Sequence, residues 1–229
     1  MRDDGTICPA KITHFTQQGF TIKGVIHAGM NDGEEVYSYK DLGIKNILGF
    51  EPLPYARQKA LQDHKDIYCA QIALSDKNGI SELIVTKGDG KGSSIFEPIL
   101  ESEEVKKNWT DNGIIVDHIP IKTERLDHYL DRNKDIHQIE NYDCLVLDTQ
   151  GNEWEVLHGC GKYLKEFKYL SIELSEVPVY KGEHSAQEVI DYLKKQGFTQ
   201  DSHIQSHNDV FFVRKDIKAE SDLLYRGLA

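Results

Sequence analysis

The sequence predicts a doubly wound α/β domain with a mostly parallel sheet. Three observations predict it. Short strand-like apolar runs alternate with helical patterns, the signature of successive βαβ units. The run Cys144-Leu145-Val146-Leu147 is apolar at every position, as in a strand covered on both faces. Three such runs end on an acid, Glu51, Asp148 and Glu173. In open parallel sheets ligands bind outside the carboxyl ends of the strands, so these acids are expected on one rim.

The first strand is Gly24 to Ala28, running into the turn Gly29-Met30-Asn31-Asp32-Gly33 and a helix from about Glu34 to Leu42. Glu34 and Glu35 suit a first helical turn, where the backbone carries partial positive charge, and Gly43 is a natural stop. The second strand, Asn46 to Phe50, ends on Glu51, and Pro52 and Pro54 open a helix towards His64. A third strand is expected over Ile67 to Leu74, then a turn at 75–79 and a further strand from Ile80 to Val85. Lys87 to Ser94 carries three glycines in eight residues and reads as a mobile loop. Strand character returns over Ile114 to Ile121, and Thr123 is placed to cap a short helix holding Leu126, Tyr129 and Leu130.

After Cys144 to Leu147 come a helix around Glu153 to Leu157 and a strand from Tyr169 to Ile172. Ser185-Ala186-Gln187-Glu188 has the form of a capping box; its helix presents Val189, Ile190 and Leu193 and stops at Gly197. The last strand, Asp209 to Arg214, is expected antiparallel to the segment after Phe198. The chain divides into an N-terminal extension (1–23), one domain (24–214) and a charged C-terminal tail (215–229).

A length of 229 residues suits one such domain with decorations. No apolar run approaches the roughly 20 residues of a membrane span, and Met1 to Gly5 lacks the apolar stretch of a signal peptide. A formal charge of −11 disfavours nucleic acid and anionic lipid as partners. A cytoplasmic protein acting on a small molecule or glycan is expected. Cys8, Cys69, Cys144 and Cys160 form no Cys-x-x-Cys pair, and the ten histidines have no metal-ligand spacing, so no dedicated metal site is expected.

Glu51 follows Gly29 by 22 positions, the spacing of the acid that receives ribose hydroxyls in nucleotide-binding α/β domains. The glycine turn places Asn31 where dinucleotide proteins have their middle glycine, and Asp32 would crowd a pyrophosphate. A nucleoside carrying a cationic group fits better than NAD. A nicotinamide-dependent oxidoreductase and a non-catalytic cofactor-binding module remain the alternatives.

The segments Val25 to Gly33, Phe50-Glu51-Pro52-Leu53-Pro54, Ala73-Leu74-Ser75-Asp76, Gly92 to Ile95, Leu147 to Leu157 and Asn208 to Val213 occur in an order and spacing that resembles the FkbM family of methyltransferases. The resemblance covers roughly residues 24–214 and includes the fairly specific Asp148-Thr149-Gln150-Gly151-Asn152-Glu153 element. It implies the class I methyltransferase fold, a seven-stranded Rossmann-like sheet with an antiparallel C-terminal strand. It also implies S-adenosylmethionine as methyl donor and a hydroxyl acceptor on a sugar or other small molecule. By position, Gly29, Asn31 and Gly33 would lie along the methionine part, Glu51 would hold the ribose, and Ser75 and Asp76 would edge the adenine. His27, Met30, Pro52 and Ala73 complete the implied cofactor contacts, with Asp148 near the transferring methyl. His27 departs from the commoner acid at its position, which leaves open how the donor's ammonium is neutralised.

Methyl transfer to a hydroxyl is assisted by a base. Asp148, Glu153 and Glu173 are the candidates, with His27 and His158 behind them; Asp148 and Glu173 are alternatively oxygen ligands for a divalent cation that acidifies the hydroxyl. Ser93 and Ser94, in the glycine-rich loop, are expected to face the acceptor, and loops 86–96 and 176–184 to set its identity. The plainer readings are helix caps for Glu51 and Asp148, a first-turn acid for Glu153, a structural histidine at 27 and a core tryptophan at 154.

Overall fold

The computed structural model describes residues 11–99, 115–202 and 208–219. The expectations for Cys8, for Ile114 and for the outer parts of the N-terminal extension and C-terminal tail lie outside these residues. Strands β1 (Gly24–Ala28), β2 (Asn46–Phe50), β3 (Tyr68–Ala70), β7 (Cys144–Leu147), β8 (Tyr169–Leu174), β9 (Phe198–Gln200) and β10 (Asn208–Arg214) form one seven-stranded sheet. The strand order is β3-β2-β1-β7-β8-β10-β9, parallel except for β10, which runs antiparallel to both β8 and β9. The expected class I methyltransferase fold is what the chain adopts. Its topological switch point lies between β1 and β7, where a parallel sheet opens a crevice at its carboxyl edge.

Because successive strand residues face opposite ways, the sheet feeds two cores. Ile26, Ala28, Leu145, Leu147, Leu170 and Ile172 pack on one face. There they meet α4 (Leu126–Arg132), α5 (Glu153–Gly159) and α6 (Ala186–Lys195). Val25, Ile47, Cys144 and Val146 pack on the other, under α1 (Thr13–Gln17) and α2 (Glu34–Asp41). The segment ahead of β1 belongs to this second core: Ile12 and Phe15 are fully buried in it. Helix α3 (Pro54–Asp63) begins at Pro54, whose fixed φ and missing N–H cost nothing in a first turn. Helix α6 opens with the expected capping box, Ser185 and Glu188 each accepting the other's backbone amide.

Two local expectations are corrected. The strand over 67–74 is interrupted: β3 ends at Ala70, and β4 (Ala73–Leu74) leaves the main sheet to pair in parallel with β6 (Ile115–Glu124). The ladder with β2 stops there because, after the Glu51 amide has bonded the Ala70 carbonyl, the next amide on that edge, Leu53, turns back onto Glu51 Oε1. Thr123 caps no helix. It lies within β6, opposite Ala73 and Gly79 of β5 (Gly79–Thr86), and α4 is entered through Arg125 without a side-chain cap.

Candidate active site

The carboxyl edge of the sheet holds a cavity of about 320 Å³, lined in part by Gly29, Asn31, Glu51, Asp148 and Glu173. The turn after β1 is held against both neighbouring strands. Gly29 and Met30 donate backbone N–H bonds to the Phe50 carbonyl at 2.9 and 3.2 Å, and Gly29 has a φ of +76°. A Cβ there would lie 1.8 Å from the Asp148 carbonyl oxygen, so only glycine allows β1 and β7 to meet so closely at the switch point. Glu51 closes the other side. Its Oε2 accepts the Asn31 amide at 2.8 Å and its Oε1 the Leu53 amide at 2.7 Å. Burial pushes its carboxyl up to about 7, against the pull of those two amides.

Across the cavity the contacts run through side chains. Asp148 Oδ2 lies 2.9 Å from Lys11 Nζ, and its Oδ1 accepts from Gln150 Nε2 at 2.9 Å. The same Nε2 donates to Glu173 Oε2 at 2.6 Å, and Tyr180 donates its hydroxyl to Gln150 Oε1 at 2.9 Å. One amide therefore bridges two carboxyl groups while a tyrosine fixes which way it faces. Burial opposes ionisation of Asp148, but Lys11 and the hydrogen bonds from Glu173, Lys11 and Gln150 hold its carboxyl below the usual range. Burial, then the Asp148 carboxylate beside it, pushes Glu173 up. The two carboxyl groups are thus pushed apart, Asp148 toward the ionised form and Glu173 toward the protonated one.

Of the residues expected at the site, Gly29, Asn31, Glu51, Pro52, Ala73, Ser93, Ser94, Asp148 and Glu173 line this cavity. His27, Met30, Gly33, Ser75, Asp76 and Glu153 do not line it. His27 is fully buried, with its Nδ1 3.2 Å from Tyr39 Oη, and is kept neutral by burial and by Lys11. Met30 packs across Gly49, and Gly33 starts α2 with a φ of +79°. Ser75 donates its amide to Glu124 across the β4–β6 pair, and the Asp76 carbonyl accepts from Arg125. Glu153 turns inward: its oxygens receive the Thr149 amide and hydroxyl and the Gly151 amide at 2.7 to 3.0 Å, and burial raises it to about 7. It shapes the 149–151 turn.

The glycine-rich loop is tied over the cavity mouth. Asn31 Nδ2 donates to the Asp89 carbonyl at 3.1 Å, Lys91 pairs with Glu34, and Ser94 Oγ donates to the Gln150 carbonyl at 2.6 Å. The two loops expected to set acceptor identity approach each other through the Tyr180 hydroxyl, 3.5 Å from the Gly92 carbonyl, and the residues just after the first loop bond the second, Ile99 N to Val179 O and Lys181 N to Glu97 O. Lys11, Glu35 and Gln150 also line the cavity, and none was singled out as a site residue from sequence. Gln150 stood inside the motif after β7; Lys11 carried no signal at all.

Compared with known proteins, residues 27–199 match the profile described as the Methyltransferase FkbM domain. The chain belongs to the FkbM methyltransferase family, and it is an S-adenosylmethionine-dependent methyltransferase. A relative is the 2-O-methyltransferase NoeI of Sinorhizobium fredii, 25% identical over 181 residues, which cover 74% of this chain and 70% of NoeI. Among solved structures, the Burkholderia thailandensis 1,6-didemethyltoxoflavin-N1-methyltransferase aligns with a TM-score of 0.46 at 13% identity, covering 93% of this chain and 79% of that one. An rRNA methylase from Streptococcus thermophilus aligns with a TM-score of 0.45 at 13% identity, covering 92% and 99%. Among the described residues, no helix of this FkbM chain is long and apolar enough to cross a membrane.

Proposed function

We propose that this FkbM methyltransferase is an O-methyltransferase of the cytoplasm, acting on a hydroxyl of a sugar, glycan or other small molecule. The observation that carries the reading is Asp148, a carboxyl group paired with the Lys11 ammonium at the end of β7, on the rim of the cavity that Glu51 also borders. The chemistry of the cavity suits the donor: Gly29 keeps backbone close, Glu51 is positioned to receive ribose hydroxyls, and Glu35 offers a carboxyl group for a cationic amino acid group. Glu35 takes over the neutralising part that a buried, neutral His27 cannot. When bound, S-adenosylmethionine supplies an electrophilic methyl group on sulfur.

Asp148 takes the acceptor's hydroxyl proton as its oxygen becomes nucleophilic, a contribution typically of ~10²–10⁴-fold. Glu173, which burial and the neighbouring Asp148 push toward its protonated form, stays out of that transfer and, with Gln150, holds Asp148 in place. The donor set does not suit a divalent cation at Asp148 and Glu173: a lysine ammonium sits on one Asp148 oxygen, and amide hydrogens of Gln150 face the other and Glu173. Ser93 and Ser94 border the acceptor side, and the name of NoeI, a 2-O-methyltransferase, supports oxygen as the atom methylated. The three described cysteines are buried free thiols, in keeping with a reducing compartment.

The test is calorimetry with S-adenosylhomocysteine and with NAD, followed by mass spectrometry of a panel of hydroxylated acceptors incubated with S-adenosylmethionine. Binding of the homocysteine product and a mass gain of one methyl on a sugar hydroxyl are expected. Binding of NAD alone, or methylation confined to nitrogen acceptors, overturns the reading.

A further inference from the structure

Lys11 lies outside residues 27–199, the family-matched region, yet its ammonium is in the cavity wall. Its position is set from both sides. Ile12 and Phe15 are fully buried beneath the sheet, and His14 and Gln18 both bond Asp201 Oδ2, at 2.9 and 2.6 Å. The segment is thereby locked to the far end of the sheet, with the Lys11 side chain running inward to Asp148 Oδ2 at 2.9 Å and Asp209 Oδ1 at 3.2 Å.

We propose that Lys11 is a positioning residue of the active site, which makes Asp148 the ionised member of the Asp148–Glu173 pair. This rests on the reading of Asp148 as proton acceptor. The groups facing Asp148 are nearly all acids: Glu173 on β8, Asp209 on β10, Glu35 on α2, Glu51 after β2 and Glu153 on α5. His27 on β1 is buried and neutral, and the Tyr39 and Tyr180 hydroxyls add no positive charge. Gln150 touches both members of the pair with the same neutral amide and cannot choose between them. Lys11 breaks the symmetry, because its ammonium bonds Asp148. An opposite charge at this distance stabilises a carboxylate by about 1–3 pH units, enough to decide where a shared proton sits. Burial lowers the affinity of Lys11 itself for its proton, but Asp148, Asp209 and Glu173 together outweigh burial and keep it charged.

Carboxyl-carbon NMR tests this without an acceptor, on full-length protein labelled at the Asp and Glu side-chain carboxyls. The two signals are assigned with Asp148→Asn and Glu173→Gln. In the wild type Asp148 is expected to be ionised throughout the neutral range. Lys11→Met and Lys11→Gln are each expected to raise its titration midpoint by about 1–3 units, a 10- to 1000-fold gain in proton affinity, while Lys11→Arg preserves it. Two neutral variants are used so that poor folding of one leaves the other, and a thermal melt accompanies each. A loss of melting temperature with an unmoved Asp148 midpoint overturns the proposal, since a purely structural lysine behaves that way. Failure of the base reading is separate: it would appear as full turnover in Asp148→Asn, whatever Lys11 does to the titration.

Discussion

At the β1–β2 end of the cavity every donor is a backbone amide: Gly29 and Met30 to the Phe50 carbonyl, and Asn31 and Leu53 to the Glu51 carboxyl group. At the β7–β8 end the contacts run through side chains: Lys11 and Gln150 to Asp148, Gln150 to Glu173, Tyr180 to Gln150. Backbone bonds are made by any sequence that can take the turn, so the first half tolerates few residue types at few positions. The second half depends on residues from the N-terminal segment, the turn after β7, strand β8 and the 176–184 loop, and each link can be cut singly. If this division holds, damage to the first half appears in stability and donor affinity, and damage to the second in turnover.

The largest effect is expected from Asp148→Asn, which keeps the shape and removes the proton acceptor. Turnover should fall ~10²–10⁴-fold, while the dissociation constant for S-adenosylhomocysteine, read by calorimetry, changes by less than about tenfold. An equal loss in both would merge the two halves into one site. Gly29→Ala attacks the other half. Its Cβ meets backbone at 1.8 Å in a left-handed conformation, and a loss of at least about 3 kcal/mol is expected in urea titrations. Gly43→Ala is the control: it has a similar φ of +80° but open space around it, and should cost only about 1 kcal/mol.

Glu51→Gln sharpens the division through pH. A buried acid whose folded pKa is raised from 4.5 to about 7 binds its proton more tightly in the folded than in the unfolded chain. Its stabilising contribution is full below pH 4.5 and is lost as pH rises through about 7, on the order of 3 kcal/mol in all. Donor-free wild-type protein should therefore lose stability across this window, and Glu51→Gln should flatten the profile in denaturant titrations. A profile of unchanged slope would mean that Glu51 is already ionised in the folded chain.

The same division explains what the sequence made legible. Gly29, Asn31 and Glu51 are read from a local pattern, a turn of fixed glycine spacing and an acid 22 positions on, because backbone geometry writes its demands into neighbouring residues. The parallel order of the sheet followed from the alternation of runs, and the antiparallel β10 from the family resemblance. Lys11 reaches Asp148 across 137 positions and Tyr180 reaches Gln150 across 30, and no periodicity or spacing encodes such meetings. The break between β3 and β4 was hidden for a related reason: Ile67 to Leu74 is apolar enough for one strand, and the amide that fails to extend the ladder, that of Leu53, is remote in sequence. Thr123 was misread as a cap because a threonine before a helical pattern satisfies that rule equally well inside a strand.

The smallest expected effect is the finest probe of the side-chain half. Tyr180 reaches the acid pair through Gln150: its hydroxyl fixes Gln150 Oε1, so that Nε2 faces both acids. Gln150 has a φ of +57°, and Gly151 beside it leaves room for the Tyr180 ring, which a Cβ would meet at 2.8 Å. Tyr180→Phe keeps the ring in that space and removes only the hydroxyl. Without it the amide is free to turn its oxygen toward Asp148, which weakens the hold on the carboxylate by one neutral hydrogen bond, about 0.5–1.5 kcal/mol. If all of that is felt in the transition state, turnover falls about 2- to 12-fold. Donor affinity should stay as in the wild type, because no bond of the β1–β2 half passes through Tyr180. Single-turnover rates and product calorimetry on the same preparation separate the two, and a donor affinity that falls in step with the rate would erase the boundary drawn between the halves.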